Sequence, residues 1–318
     1  CRACPVGGMY SSDRPVNALE HIKNFKLVVG AEAQRIELND VGELKSVVYR
    51  DEEGVEHSVN ASRVVVATQA VEAVRLLLNS ETGRFPQGLA NENGALGHYL
   101  MEHPKFYVWG KVKDPLTPYK QGFETCTTYK FHDHARRGEY AGGRLLVREN
   151  AGPQPVDVAM ASGQWGKNLK DEVGSLFGRY VNLGSFLEQL PRAENRVSLS
   201  KTMMQSGLPA ARVDFKLEGD YEREGFEQMR KVKFEILEAL GATDIEVAMK
   251  PSNSGHYMGG HRMGDDPNTS TTNSFLETHS VKGLYLATGG AFPTAGVSNP
   301  TLTTVALCLR MAHHMLEN

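Results

Sequence analysis

Between residues 25 and 68, apolar residues fall in short, β-branched runs separated by polar turn residues. Runs at 25–30, 33–38, 44–51, 55–61 and 63–68 predict strands, with turns at Asn39-Asp40-Val41-Gly42 and Glu52-Glu53-Gly54. Together they predict a small antiparallel meander returning to a buried strand. In that last run Val64-Val65-Val66-Ala67-Thr68 is continuous rather than alternating, the pattern of a strand covered on both faces. The period then changes. Over 69–79, Ala70, Ala73, Val74, Leu76 and Leu77 recur at helical spacing, and a shorter helix over 13–23 is marked by Val16, Leu19 and Ile22. Residues 113–153 have little periodicity and many Gly, Pro, Asp and Arg, which predicts a long loop or lid. Strands are expected at 156–162, 180–188, 196–199 and 211–216. A helix over 221–240 follows, with Phe226, Met229, Val232, Ile236, Leu237 and Leu240 on one face. A buried strand at 283–288 closes on two glycines and leads to a helix over 301–316. Asn299 is the expected N-cap of that helix and Pro300 its first residue.

Strand-to-helix crossings at both ends and strands with a covering helix in the middle predict a chain that is α/β plus α+β. At 318 residues it is long enough for about two domains and a sizeable core. A net charge of −3 gives no basic stripe for nucleic acid or an anionic membrane, and no apolar run approaches the roughly 20 residues that cross a bilayer. Four cysteines do not make a disulfide framework in a chain of this length. Cys126 and Cys308 are isolated, and Cys308 falls in the apolar pattern of the last helix, as a buried thiol does. Cys1 and Cys4 form a C-x-x-C pair, suited either to a metal or cluster or to a redox couple. Two thiolates are fewer than a cluster needs, which favours no cluster here. His132-Asp133-His134 lacks an obvious third ligand and reads as a polar loop, so no metal site is expected.

Two stretches stand out. Gly255-His256-Tyr257-Met258-Gly259-Gly260-His261-Arg262-Met263-Gly264 is too irregular for a helix or strand face, and its glycines let the backbone approach something closely. The second runs from Gly289-Gly290 through Ser298-Asn299-Pro300-Thr301-Leu302-Thr303 into the last helix. Together they resemble the C-terminal signature of the glucose–methanol–choline (GMC) family of FAD-dependent alcohol oxidoreductases, most closely its sugar-oxidising, pyranose-oxidase-like branch. The resemblance implies an FAD-binding, Rossmann-like domain and an antiparallel-sheet substrate domain. On that pattern residues 1–103 and 246–318 form the FAD-binding part and residues 104–245 the substrate domain. It implies that His256 and Asn299, 43 residues apart, face the flavin. Ala33 would lie along the adenine and Ala67 beside the cofactor, though each also fits a plain sheet-and-helix core. Gly289 and Gly290 would admit the ribityl–pyrophosphate region, and the helix end at Pro300 and Thr301 would face the flavin's N1–C2=O2 edge. The stretch 96–104 resembles the family's link out of the FAD domain, and structural or surface roles are expected for His98 and His103. No strand–G-x-G-x-x-G–helix unit occurs, so the chain is expected to be a fragment of a longer protein or one polypeptide of a split one.

The implied chemistry is alcohol oxidation. A neutral imidazole suits removal of the hydroxyl proton while the carbinol hydride passes to flavin N5, and His256 is the expected base. Asn299 would hold the same oxygen through its amide N–H groups. His261, with Arg262, is expected to brace the loop, and remains the alternative base. Three functions stay open. The first is an oxidoreductase acting on a secondary hydroxyl of a sugar or glycoside, with oxygen or another electron acceptor. The second is a dehydrogenase subunit passing electrons to a cluster or haem partner. The third is a non-catalytic or complementing chain that needs a second polypeptide carrying the G-x-G-x-x-G half.

Overall fold

The computed structural model describes residues 8, 10–116, 126–247 and 251–317. Cys1 and Cys4 lie outside the described residues. The chain opens with α1 (Asp13–Leu19), shorter than expected. Residues 25–30 form no strand; Val28 and Val29 are exposed, so the run has no apolar surface to join. Then β1 (Glu32–Leu38), β2 (Leu44–Arg50) and β3 (Glu56–Asn60) form the expected antiparallel meander in the order β1-β2-β3.

β4 (Val64–Val66) leads directly into α2 (Ala70–Leu78). Gln69 caps that helix, its side-chain oxygen accepting from Val71 N–H at 2.8 Å. The apolar face of α2, with Ala73, Val74 and Leu77 fully buried, packs on Ile36, Val66 and Leu286. Burying one such Val or Leu stabilises the fold by roughly 1.5–3 kcal/mol.

After an irregular stretch come β5 (Lys105–Lys111), β6 (Cys126–Thr128) and β7 (Gly143–Ala151). The two helices α3 (Pro155–Ser162) and α4 (Gly166–Leu176) precede β8 (Tyr180–Leu187). Next are β9 (Arg196–Met203), β10 (Pro209–Asp214), α5 (Asp220–Ala239) and β11 (Thr243–Val247). Five of these strands form one antiparallel sheet in the order β11-β5-β8-β7-β6. α5 covers it, with Phe226, Met229 and Leu237 packed on Phe106, Val108 and Leu183. Two expectations are corrected here. The supposed lid over 113–153 contributes β6 and β7, because Leu145 and Leu146 are buried against the sheet and its helix layer. The supposed strand at 156–162 is α3: Pro155 occupies its first turn, and the Asp157 carboxylate accepts from Gln154 N–H at 2.9 Å. The hairpin β9–β10 stands apart from the large sheet and sends Val197 into the core around α2.

The last part returns to that core. β12 (Leu284–Leu286) pairs in parallel with β4, Leu284 opposite Val64 and Leu286 opposite Val66. A 3-10 turn at Gly289–Ala291 and a loop lead to α6 (Thr301–Glu317). Leu302, Leu309 and Leu316 of α6 are 81%, 67% and 86% exposed, so one face of this helix is apolar and open.

Candidate active site

Segments distant in sequence are laid side by side. Met101 and Met258 exchange backbone bonds of 2.7 and 3.0 Å, and Lys105 and Ser252 exchange two of 2.8 Å. The chain then crosses to the 3-10 turn, where Gly259 N–H donates to Gly289 O at 3.3 Å and His261 N–H to Gly290 O at 3.2 Å. Such contact requires glycine. A Cβ on Gly259, whose φ is +76°, would stand 2.0 Å from Tyr99 O; one on Gly290 would stand 2.1 Å from His261 Nε2.

Both ends of this pairing converge on His256. Glu102 is fully buried, and its carboxylate accepts from Ser254 N–H at 2.6 Å, from Ser254 Oγ at 2.9 Å and from His256 N–H. The imidazole of His256 packs edge-on to Phe186, centroids 5.0 Å apart, and to His103 at 5.1 Å. His103 Nδ1 lies 2.9 Å from His256 Nδ1, and His103 Nε2 lies 3.2 Å from Ala295 O. On the open side, Asn299 Nδ2 lies 3.0 Å from His256 Nε2. Burial holds His256 below its ordinary value, and the Glu102 carboxylate opposes that shift. Burial, then the charge of His256, pushes His103 down to about 4. Both rings are therefore neutral at pH 7, as a proton acceptor requires.

The structure thus brings His256 and Asn299 together. Asn299 is not the cap that its position in the sequence predicts. Pro300 O accepts from Thr304 N–H at 2.9 Å, which puts Pro300 in the capping place and Thr301 first in the helix, and leaves the Asn299 amide free to turn to His256. His261 is fully buried, with Nε2 2.7 Å from Thr288 Oγ1, and burial pushes it down to about 4. It braces the turn. Arg262 does likewise, its guanidinium 3.9 Å over the Tyr99 ring.

Ala67 follows the carboxyl end of β4 and is exposed; next to it, Ala287 N–H donates to Val66 O at 2.8 Å. Gly289 and Gly290 follow the end of β12, and a Cβ on Gly289 would come 3.9 Å from Thr304 Oγ1 in the first turn of α6. Pro300 and Thr301 are therefore close by, at a helix end that reaches solvent. Ala33 stands apart on β1, the outer strand of the meander, which packs on α2. Among the described residues, no three His, Cys, Asp or Glu side chains are grouped as metal ligands. His132 Nδ1 bonds Tyr129 O at 2.7 Å, and His134 stacks on Tyr140 at 4.2 Å. Cys308 is half-buried, and burial raises its thiol.

Sequence reading missed Glu102 and His103 as members of the site. Their one local signal is the run Met101-Glu102-His103-Pro104, two ionisable residues flanked by an apolar residue and a proline.

The strand-to-helix core with its glycine-rich turn, the separate antiparallel sheet and the histidine–asparagine pair agree with the C-terminal part of the GMC fold. Residues 191–308 match the model of the GMC oxidoreductase family, and the chain belongs to that family. It is 29% identical over 317 residues to the fructose dehydrogenase large subunit of Gluconobacter japonicus, covering 99% of this chain and 58% of that protein. It is 31% identical over 300 residues to paromamine 6'-oxidase of Streptomyces fradiae, covering 91% and 52%. The fold matches the crystal structure of pyridoxine 4-oxidase from Mesorbium loti with a TM-score of 0.65 at 15% identity, over 95% of this chain and 60% of that one. The chain thus spans a little more than half the length of these relatives.

Proposed function

We propose that this chain is the C-terminal, substrate-facing part of an FAD-dependent oxidoreductase that oxidises a secondary hydroxyl of a sugar or glycoside. The observation that carries the reading is the 3.0 Å contact of His256 Nε2 with Asn299 Nδ2, open to solvent on one side and backed by buried groups on the other. A substrate hydroxyl entering between them gives its proton to His256 Nε2 and accepts an N–H bond from Asn299, which steadies the oxygen as negative charge develops. Phe186 offers an apolar wall beside the imidazole.

The residues fit the cofactor. The carboxyl ends of a parallel strand pair are the usual place for a dinucleotide, and Ala67 and Gly289 lie there near the surface, with Gly290 buried behind them. Pro300 and Thr301 present a helix end whose dipole favours an anionic group. Ala33 lies on an outer strand, where alternate backbone groups face away from β2. FAD, when bound, accepts the carbinol hydride. The two apolar clusters, one around α2 and one around α5, support a division into FAD-binding residues 1–103 and 246–318 and substrate residues 104–245.

A two-stranded parallel sheet is too small to be a finished layer, and Val65, Leu302 and Leu309 lie exposed on and near it. This supports completion by the G-x-G-x-x-G half, whether as more of the same protein or as a second polypeptide. The likeness to a fructose dehydrogenase large subunit favours a second reading, in which electrons pass to a partner subunit rather than to oxygen. The test is a visible absorption spectrum after mixing with FAD, with and without the first half of the protein, followed by anaerobic reduction with a panel of sugars. Flavin that binds and bleaches supports the proposal, and reoxidation by dye but not by oxygen selects the second reading. Flavin that binds and is reduced by no sugar or glycoside overturns it. In the reconstituted enzyme His256→Ala should lower turnover by about 10²-fold or more, and His261→Ala far less; equal losses would sink the base assignment.

A further inference from the structure

We infer that His103 is a positioning residue that fixes the tautomer of His256, through a one-way chain of hydrogen bonds anchored on the carbonyl of Ala295. The inference rests on His256 being the base, but the proton arrangement itself can be tested without catalysis.

The argument starts at the end that has no freedom. Ala295 O can only accept, so the ring nitrogen 3.2 Å away, His103 Nε2, carries a hydrogen. His103 is fully buried among Phe186 and the His256 ring, with no carboxylate bonded to it among the described residues. A neutral imidazole has one N–H, so Nδ1 of His103 holds a lone pair. That lone pair faces His256 Nδ1 at 2.9 Å, and the contact is a hydrogen bond only if His256 Nδ1 carries the hydrogen. His256 Nε2 is then left with a lone pair, pointing to the open side. The other end agrees: the group facing His256 Nε2 at 3.0 Å is the Asn299 amide nitrogen, which can only donate. Each contact therefore has one donor and one acceptor, and reversing any of them would set two hydrogens or two lone pairs face to face.

This arrangement has a consequence for chemistry. The lone pair of His256 is aimed where a substrate hydroxyl must come, and the imidazolium formed on proton uptake is already bonded on its far side to a neutral ring. The backbone of His256 is fixed separately by Glu102, so position and tautomer have different owners. The ionisable groups around the pair are Glu102, Arg144 and Lys105, whose charges act on His256.

The test uses this chain labelled with ¹⁵N-histidine and combined with the unlabelled first half of the protein, read by long-range ¹H–¹⁵N correlation at pH 7.5, with His256 and His103 signals assigned from His256→Gln and His103→Gln. The expected pattern is a protonated Nδ1 and bare Nε2 on His256, and the reverse on His103. His103→Leu should move His256 to a mixture of tautomers, whereas His103→Gln, whose amide oxygen can accept in place of Nδ1, should keep the Nδ1–H form. In the FAD-reconstituted enzyme the Leu variant should lose about 10- to 100-fold in kcat with little change in KM, part of the 10²–10⁴ a general base supplies, and the Gln variant should recover most of it. A protonated Nε2 on His256 in the parent chain overturns the inference, and that spectrum decides alone if His103→Leu does not fold. An unmoved His256 tautomer in a folded Leu variant overturns it too, even if turnover falls. Loss of turnover in His256→Ala with the expected spectrum supports both readings, while full turnover in that variant removes the base and leaves the tautomer result standing.

Discussion

Replacing Glu102 by alanine is the sharpest structural test of how the His256 loop is held. The carboxylate accepts from the backbone N–H groups of Ser254 and His256 and from Ser254 Oγ, and the residue is wholly buried. Alanine leaves two backbone donors without a partner, while the Ser254 hydroxyl can turn to water. A buried donor left unpaired costs about 1–3 kcal/mol; with water entering the vacated space, about 3 kcal/mol in all is expected. Between Ser252 and Met258, which are paired with Lys105 and Met101, the loop has few other backbone bonds, so the loss falls on local opening rather than on global unfolding. At about 1.4 kcal/mol per tenfold, amide hydrogen exchange at Ser254 and His256 should speed up roughly 100-fold, read by mass spectrometry or NMR. Strands β5 and β8, one of which continues directly from Glu102, should keep their protection to within a few-fold. If the two loop amides change by less than about threefold, Glu102 does not hold the loop. An equal loss over loop and sheet would show instead that it holds the whole fold.

Three further outcomes follow from single contacts. Gly290→Ala places a Cβ 2.1 Å from His261 Nε2, where both groups are buried, and should cost about 2–4 kcal/mol in urea unfolding with loss of the His261–Thr288 bond; a neutral substitution would refute the packing. His103 and His261 titrate at about 4 when folded, against about 6.5 when unfolded, so the unfolded state binds protons first as pH falls. Stability is full above pH 6.5 and should drop by up to about 3 kcal/mol per group between pH 6.5 and 4; denaturation curves that coincide at pH 7 and 4.5 would contradict this. Lys233 is fully buried, its ammonium nitrogen 3.0 Å from Phe106 O and 3.3 Å over the Phe106 ring, and burial lowers its pKa well below the ordinary lysine range. Its unfolded form binds a proton that the folded form resists, so it costs stability at neutral pH. Lys233→Met should therefore stabilise by about 1–3 kcal/mol, and a lower melting temperature would count against it.

The parts legible in the sequence are those whose signal is local. Val64-Val65-Val66 and the spacing of Ala70, Ala73, Val74 and Leu77 announce a buried strand and the helix that covers it. The glycines around His256 and after β12 are where backbones touch, and that density can be read without knowing what touches what. Val156 to Ser162 misleads because Val-Asp-Val alternates like a strand, although Pro155 and Asp157 mark a helix start. β7 hides among glycines and arginines, since its apolar residues matter only beside β8. His103 was out of reach for a similar reason. Its partner is 153 residues away, and nothing in its neighbours states that the two will meet.

Those separations bear on how the molecule assembles. His103 bonds to groups 153 and 192 residues further along, whereas β7 and β8, and β1 and β2, join over much shorter stretches. Closing a long loop costs chain entropy that only later contacts repay, so pairings of this kind tend to form late. The meander and the β5-β8-β7-β6 part of the large sheet can therefore take shape while β11 and residues 252–258 are still apart from residues 101–111. A chain halted at that stage would show most of its secondary structure, and the last step of folding would be the one that brings His103 and Asn299 to His256.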